Sequence, residues 1–173
     1  MKIAIIGYSG SGKSTLAAEL GKYYQAEVLH LDSVHFLPGW VERKREEEQQ
    51  IVADFLDRHD AWVIDGNYTK LSYDRRMEEA DMIAMMLFNR FACLWRARKR
   101  YKKYRGQTRP DMGEGCNEKL DGEFAAWILW KGRRTAQRER NAGLRKRYGD
   151  KVVVLKNQKQ TDAFLERILQ GRA

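Results

Sequence analysis

The sequence predicts a three-layer α/β/α fold around a five-stranded parallel sheet, with a helical lid inserted before the last strand. Three observations carry this. Short apolar runs alternate with helical patterns along the 173 residues, which is the signature of parallel strands connected by crossover helices. A glycine-rich loop sits between the first run and the first helical pattern. One interval, from the fourth run to the fifth, is about sixty residues long and far exceeds the others.

Each element has its own warrant. Lys2 to Ile6 is Ile-rich and bounded by glycine, so it reads as a buried strand. Lys13 to Tyr24 places Leu16, Leu20 and Tyr23 or Tyr24 at helical spacing, giving a helix with one core face. Glu27 to Leu31, Trp62 to Ile64, Met82 to Phe88 and the triple-valine run within Lys151 to Leu155 supply the other four strands. Helical patterns lie between them at Ile51, Val52, Phe55 and Leu56, at Ser72 to Glu79, and after the last strand at Phe164, Leu165, Ile168 and Leu169. The long interval, about residues 89 to 147, reads as a basic, lid-like excursion from a single domain spanning residues 1–173.

Composition excludes several classes. The chain is 43% hydrophobic and 33% charged with only two prolines, which fits one folded domain and not a disordered or linker-rich one. The longest apolar runs, Met82 to Phe88 and Phe124 to Trp130, have seven residues each, whereas a spanning helix needs roughly 20. The first apolar stretch is too short for a secretory signal core, so a cytoplasmic protein is expected. Cys93 and Cys116 form no CxxC pair and read as two reduced structural thiols. The net charge of +9 is unevenly spread: residues 89–110 carry nine Lys or Arg and no acid, residues 131–147 carry eight against Glu139 alone, and the remainder is net acidic. Such a field attracts phosphate, on a nucleotide or on a nucleic acid backbone.

Gly7-Tyr8-Ser9-Gly10-Ser11-Gly12-Lys13-Ser14 satisfies GxxxxGK[ST] between strand and helix, as the phosphate-binding mechanism requires. At ordinary residue frequencies the four fixed positions would arise by chance in a chain of this size roughly once in 200. The glycines let backbone N–H groups turn inward toward phosphate oxygens, and the helix N-terminus adds partial positive charge. Gly7, Ser9, Gly10, Ser11, Gly12, Lys13, Ser14 and Thr15 are the candidate nucleotide-binding residues. Lys13 is expected to reach the β- and γ-phosphates of ATP, and Ser14 to ligate Mg²⁺. The fold is then that of a P-loop NTPase.

Ligands of open α/β sheets bind beyond the C-terminal ends of the strands, so acids there carry extra weight. Asp65 closes the third strand and is the candidate second Mg²⁺ ligand. Asp32 closes the second strand and is placed to orient or deprotonate an acceptor hydroxyl. His35, Phe36, Pro38, Gly39 and Trp40 follow in a loop that suits either an acceptor pocket or plain packing. His30 and His59 read as inert, and Glu42 to Glu48 as a solvated helix face.

Taken together, the Walker motif, the Asp65-Gly66 pair and the basic excursion resemble the adenylate-kinase-like branch of P-loop kinases. Within it, LDSVHFLPGW, WVIDGNY, the spaced arginines and RPDMGEGCNEKLD are most similar to the bacterial topology modulation proteins, nearly end to end. The kinase branch implies ATP with Mg²⁺ and a lid whose arginines close over the transferring group. The family name implies an influence on DNA supercoiling. By position, Arg96 and Arg100 resemble the arginine pair opening the lid, and Arg133, Arg134 or Arg138 those returning from it. In the same way, Arg76 resembles a holder of an acceptor phosphate, and Asn157 to Lys159 the loop that packs on adenine. Asn67 and Tyr68 follow Asp65-Gly66 where adenylate kinases continue Phe-Pro-Arg, which argues against AMP as acceptor. The excursion has no cysteine quartet for zinc.

Two functions remain. One is a kinase transferring the ATP γ-phosphoryl group to a small acceptor, with Asp32, His35, Trp40, Asp65, Asn67, Tyr68 and Arg76 as acceptor-side candidates. The other is a nucleic-acid-binding NTPase that uses the basic segment with Trp95, Tyr101 and Tyr104. Lys13, Asp32, Arg96, Arg100 and Arg138 are the candidate catalytic residues of the first. The strand-end acids favour it, because Asp32 facing the phosphate loop would repel a nucleic acid backbone.

Overall fold

A computed structural model describes residues 1–171. Its chain order begins β1 (Lys2–Gly7), α1 (Lys13–Tyr24), β2 (Glu27–His30), α2 (Leu31–His35), β3 (Phe36–Leu37) and β4 (Val41–Glu42). It continues with α3 (Arg45–Arg58), β5 (Trp62–Asp65), α4 (Tyr73–Glu79), β6 (Met82–Met86) and α5 (Arg90–Tyr104), then α6 (Gly122–Leu129), α7 (Thr135–Tyr148), β7 (Val152–Leu155) and α8 (Gln158–Leu169). Five strands form one parallel sheet in the order β2-β5-β1-β6-β7, and β3 pairs with β4 in a small antiparallel hairpin. Among the described residues no helix is long and apolar enough to cross a membrane.

The strands read as continuous apolar runs because both sheet faces are covered. On β1, Ile3 and Ile5 point into one core with Leu16 and Leu20 of α1, Cys93 and Ala97 of α5, Ile128 of α6, and Phe164 and Ile168 of α8. Ala4 and Ile6 point into the other, with Val52 and Leu56 of α3, Met77 of α4 and Leu144 of α7. The alternation is the period-two consequence of strand geometry. Each fully buried Leu, Ile or Met contributes roughly 1.5–3 kcal/mol of transfer free energy, so the two apolar layers dominate the stability.

The predicted elements are present, and beyond shifts of one residue three differences stand out. The second strand stops at His30, not Leu31, because the Ser33 hydroxyl donates to the His30 carbonyl (2.7 Å) and turns the chain into α2. Asp32 therefore lies in the first turn of a short helix and does not close a strand. The expected loop after it contains the β3–β4 hairpin, closed by a 3₁₀ turn at Pro38–Trp40. The fourth strand ends at Met86, two residues early, where Leu87 N donates to Leu155 O and β7 pairs alongside.

With β1 central, register places Asp65 of β5 level with Ile5 of β1 and His30 of β2. The phosphate loop, α2 and the Gly66–Ser72 connection consequently leave from one edge of the sheet.

Candidate active site

The phosphate loop is held from three sides. The Gly7 N–H donates to Asn67 Oδ1 (2.9 Å) and the Asn67 amide donates back to Gly7 O (2.6 Å), tying the segment after β5 to the start of the loop. Gly10 has φ +79°, and a Cβ there would stand 2.5 Å from the Cys93 carbonyl of α5, so no side chain fits without moving that helix. Gly12, with φ +98°, caps α1 while the Arg96 guanidinium lies against it. Lys13 Nζ donates to the Tyr8 carbonyl (3.3 Å), curled over the loop. The Ser11 hydroxyl is fully buried and among the described residues has no hydrogen-bond partner, an orphan at the base of the anion cradle.

At the floor of the loop the Ser14 hydroxyl donates to Asp65 Oδ2 (3.1 Å). A hydroxyl and a carboxylate are hard oxygen donors of the kind Mg²⁺ prefers. Among the described residues no group of three or more His, Cys, Asp or Glu side chains converges. Ser14 and Asp65 thus form a two-donor arrangement whose remaining ligands would come from phosphate and water oxygens.

The other Asp65 oxygen, Oδ1, is 2.5 Å from His30 Nδ1, so His30 is not the inert residue expected. Burial pushes the imidazole pKa down, but the hydrogen bond and charge of Asp65, with Asp111 and Asp32 in electrostatic reach, hold it above the usual 6.5. The charged pair is complete below about pH 6.5, and its contribution fades as pH rises through the higher folded-state value. The melting-temperature advantage of wild type over His30→Asn is therefore expected to shrink as pH rises above about 6.5.

On the acceptor side Asp32 is exposed and accepts from the Tyr68 hydroxyl at Oδ1 (2.8 Å). Burial, then the Asp32 charge, push the Tyr68 phenol far up, so it remains a donor at every physiological pH. His35 is 2.5 Å from Glu48 through Nδ1, and Glu48 is buried. Glu48 is therefore no part of a solvated face. Its four-residue spacing to Val52 and Leu56, both buried, puts it on the inner stripe of α3. Trp40 Nε1 donates to Asn117 O (3.0 Å), and Cys116 Sγ to Leu37 O (3.3 Å), so the excursion docks on the β3–β4 hairpin.

Arg76 is the clearest correction. It is fully buried, and its guanidinium donates to the carbonyls of Leu71 (2.9 Å), Tyr68 (2.7 Å) and Gly66 (3.4 Å). It organises the connection after β5 and has no face left for an acceptor phosphate. Asn67, with its amide oxygen and nitrogen both committed to Gly7, is likewise structural. Asn157 caps α8 by accepting from Gln160 N (2.9 Å).

The excursion's arginines divide. Arg96 hydrogen-bonds Gln158 while resting on Gly12. Arg100 is committed to Glu118 (2.7 Å), which Arg109 also contacts (2.5 Å), so Arg100 does not point at the loop. Arg133 is buried, donates to the carbonyls of Ile128 (2.8 Å) and Phe88 (2.9 Å), and stacks 3.7 Å over the Tyr8 ring. Arg134 and Arg138 are exposed. Sequence reasoning missed Trp127, whose indole N–H donates to Ser9 Oγ (3.2 Å) from α6 and leans over the loop. Its apolar surroundings in sequence, Phe124 to Trp130, carry no sign of that role. Both cysteines are buried and free. Burial raises the Cys93 thiol pKa despite Arg133 beside it, so it stays protonated.

No family model matches the chain, and no curated protein does. Solved structures do. The shikimate kinase of Acinetobacter baumannii in complex with shikimate superposes with a TM-score of 0.57 at 18% identity, over 98% of this chain and 90% of that one. The shikimate kinase of Bacteroides thetaiotaomicron superposes with a TM-score of 0.54 at 17% identity, over 98% and 97%. At this identity the likeness concerns fold, and it extends over nearly the whole of each chain. Element order, parallel sheet and these neighbours agree: the chain has the three-layer α/β/α fold of the P-loop kinases.

Proposed function

We propose that the protein is a cytoplasmic ATP-dependent kinase that transfers the γ-phosphoryl group to a hydroxyl of a small acceptor, and that it belongs with the topology modulation proteins of the adenylate-kinase-like branch. The observation that carries the activity is the gathering of Lys13, Ser14, Asp65 and Asp32 at one edge of one sheet, with Ser14 and Asp65 already in contact. Backbone N–H groups of residues 9–14 and the N-terminus of α1 bind the phosphates, and Lys13 leaves Tyr8 O to meet them. Ser14 and Asp65 would hold Mg²⁺, which neutralises phosphate charge when bound. His30 fixes the Asp65 carboxylate in place.

Asp32 acts as the base. Tyr68 orients its carboxylate through Oδ1, leaving Oδ2 for the acceptor hydroxyl. The acceptor oxygen bonds to the γ-phosphorus, the bond from that phosphorus to the β–γ bridging oxygen breaks, and ADP departs with its electron pair. The hydroxyl proton passes to Asp32 and from there to solvent. Arg138, which is exposed, and Arg96, which lies against Gly12 and is held by the neutral Gln158, are the lid cations proposed to approach the transferring charge. Trp127, bonded to Ser9, shields the loop from water.

The nucleic-acid alternative has no comparable support. Arg100, Arg109 and Arg133, three of the residues that make the excursion basic, are engaged internally. The test is ADP release from Mg·ATP across nucleosides, nucleoside monophosphates and polyols, with Lys13→Ala as the blank. An acceptor that raises release well above the blank supports the kinase. Stimulation by DNA alone, falling with salt at a log–log slope near −0.9 per phosphate contact, would overturn it.

A further inference from the structure

The ionic inventory on the β2 side of the site specifies the acceptor's charge, granted the kinase reading above. Among the described residues, the arginines near that side are bonded to protein oxygens, and one lysine lies over the aromatic row itself. Arg76 is sealed under three carbonyls. Arg43 Nε donates to Val34 O (2.8 Å). Arg109 sits between Asp111 (2.6 Å) and Glu118 (2.5 Å) and is buried. Lys119 lies on the Trp40 indole, 4.9 Å from its centroid.

Among the described residues Asp32 has a phenol as its partner and no cation, and Glu42 reaches only His35 (3.7 Å), which Glu48 already holds. A phosphate or carboxylate on the acceptor would stand beside these carboxylates while the nearby guanidiniums are bonded to protein oxygens, an arrangement that selects against anions.

The same side presents rings in series. Tyr68, His35, Phe36 and Trp40 follow one another with centroid separations of 4.9, 4.5 and 5.1 Å, the first pair tilted and the other two edge-to-face. Trp40 is held at φ +65°, a left-handed conformation unfavourable for a bulky residue, and is clamped there by its bond to Asn117 O. Strain of this kind accumulates where a side chain must be presented in one orientation. Partly exposed aromatic faces beside one base suit a flat, uncharged ring carrying a hydroxyl.

We infer that the acceptor is an uncharged, ring-bearing hydroxyl compound of the nucleoside kind, received by the Tyr68–His35–Phe36–Trp40 row without an ion pair and phosphorylated by ATP on the hydroxyl that meets Asp32. The experiment is kcat/KM of the wild-type protein, at fixed Mg·ATP, for matched pairs of probes: adenosine, guanosine, cytidine and uridine against their 5′-monophosphates, with shikimate as a carboxylated, non-aromatic comparison. At least one nucleoside is expected to exceed its monophosphate by about tenfold or more, the scale on which uncompensated like charges discriminate. Equal or better use of the monophosphate, or preference for shikimate, overturns the inference and leaves the kinase intact. Failure of every probe to raise ADP release above Lys13→Ala overturns both.

Discussion

Asp32→Asn is expected to lower acceptor phosphorylation by about 10²–10⁴-fold, the usual contribution of a positioned general base, while Mg·ATP affinity changes by no more than about twofold. The split follows from placement. Asp32 stands on α2, outside the phosphate loop, and its hydrogen-bond partner is Tyr68, not a nucleotide-binding residue. Asparagine keeps the shape and the bond to the Tyr68 hydroxyl but cannot take a proton. Steady-state kcat together with calorimetric ATP binding reads both halves. An unchanged rate would remove Asp32 from the chemistry, and a parallel loss of ATP binding would assign it to the nucleotide site.

Arg76→Leu is expected to cost about 3–5 kcal/mol of stability, because the substitution strands three buried carbonyls that the guanidinium now satisfies. Burial lowers the Arg76 pKa to about 10, so the residue is still charged at neutral pH and its bonds are charge-assisted. For a chain of this length the melting temperature should fall by about 10 °C or more. Thermal unfolding measures it. A variant that melts like wild type but loses acceptor affinity would mean that Arg76 faces a ligand after all.

The architecture was legible because its signals are local. Ile-rich β1, the glycine loop and the Leu16–Leu20 stripe of α1 declare strand, loop and helix within two dozen residues, and buried strands announce themselves as apolar runs. Asp65 was equally legible, as the acid ending such a run. Asp32 was read on the right edge but the wrong element. Leu31 prolongs the apolar run of β2, and only the tertiary burial of Leu31 and Val34 shows that the chain has already turned into a helix.

Other roles depend on partners distant in sequence. His30 lies thirty-five residues from Asp65, Trp127 lies 118 from Ser9, and nothing near either residue encodes the meeting. The arginines show the limit most plainly. Arg76, Arg100, Arg133 and Arg138 are indistinguishable as letters, yet two are buried against carbonyls, one is paired with Glu118 and one faces solvent. Glu48 is the instructive exception. It sits in a run of acids that suggests solvent, but its spacing to Val52 and Leu56 already placed it inward.

A kinase transfers a phosphoryl group to its acceptor, whereas an ATPase only hydrolyses ATP. The most direct test of transfer is mass spectrometry of the acceptor after incubation with Mg·ATP, with ADP quantified in the same reaction. One phosphorylated acceptor per ADP formed is expected with wild type, and neither product above background with Lys13→Ala. ADP accumulating with inorganic phosphate while every acceptor remains unmodified would contradict transfer.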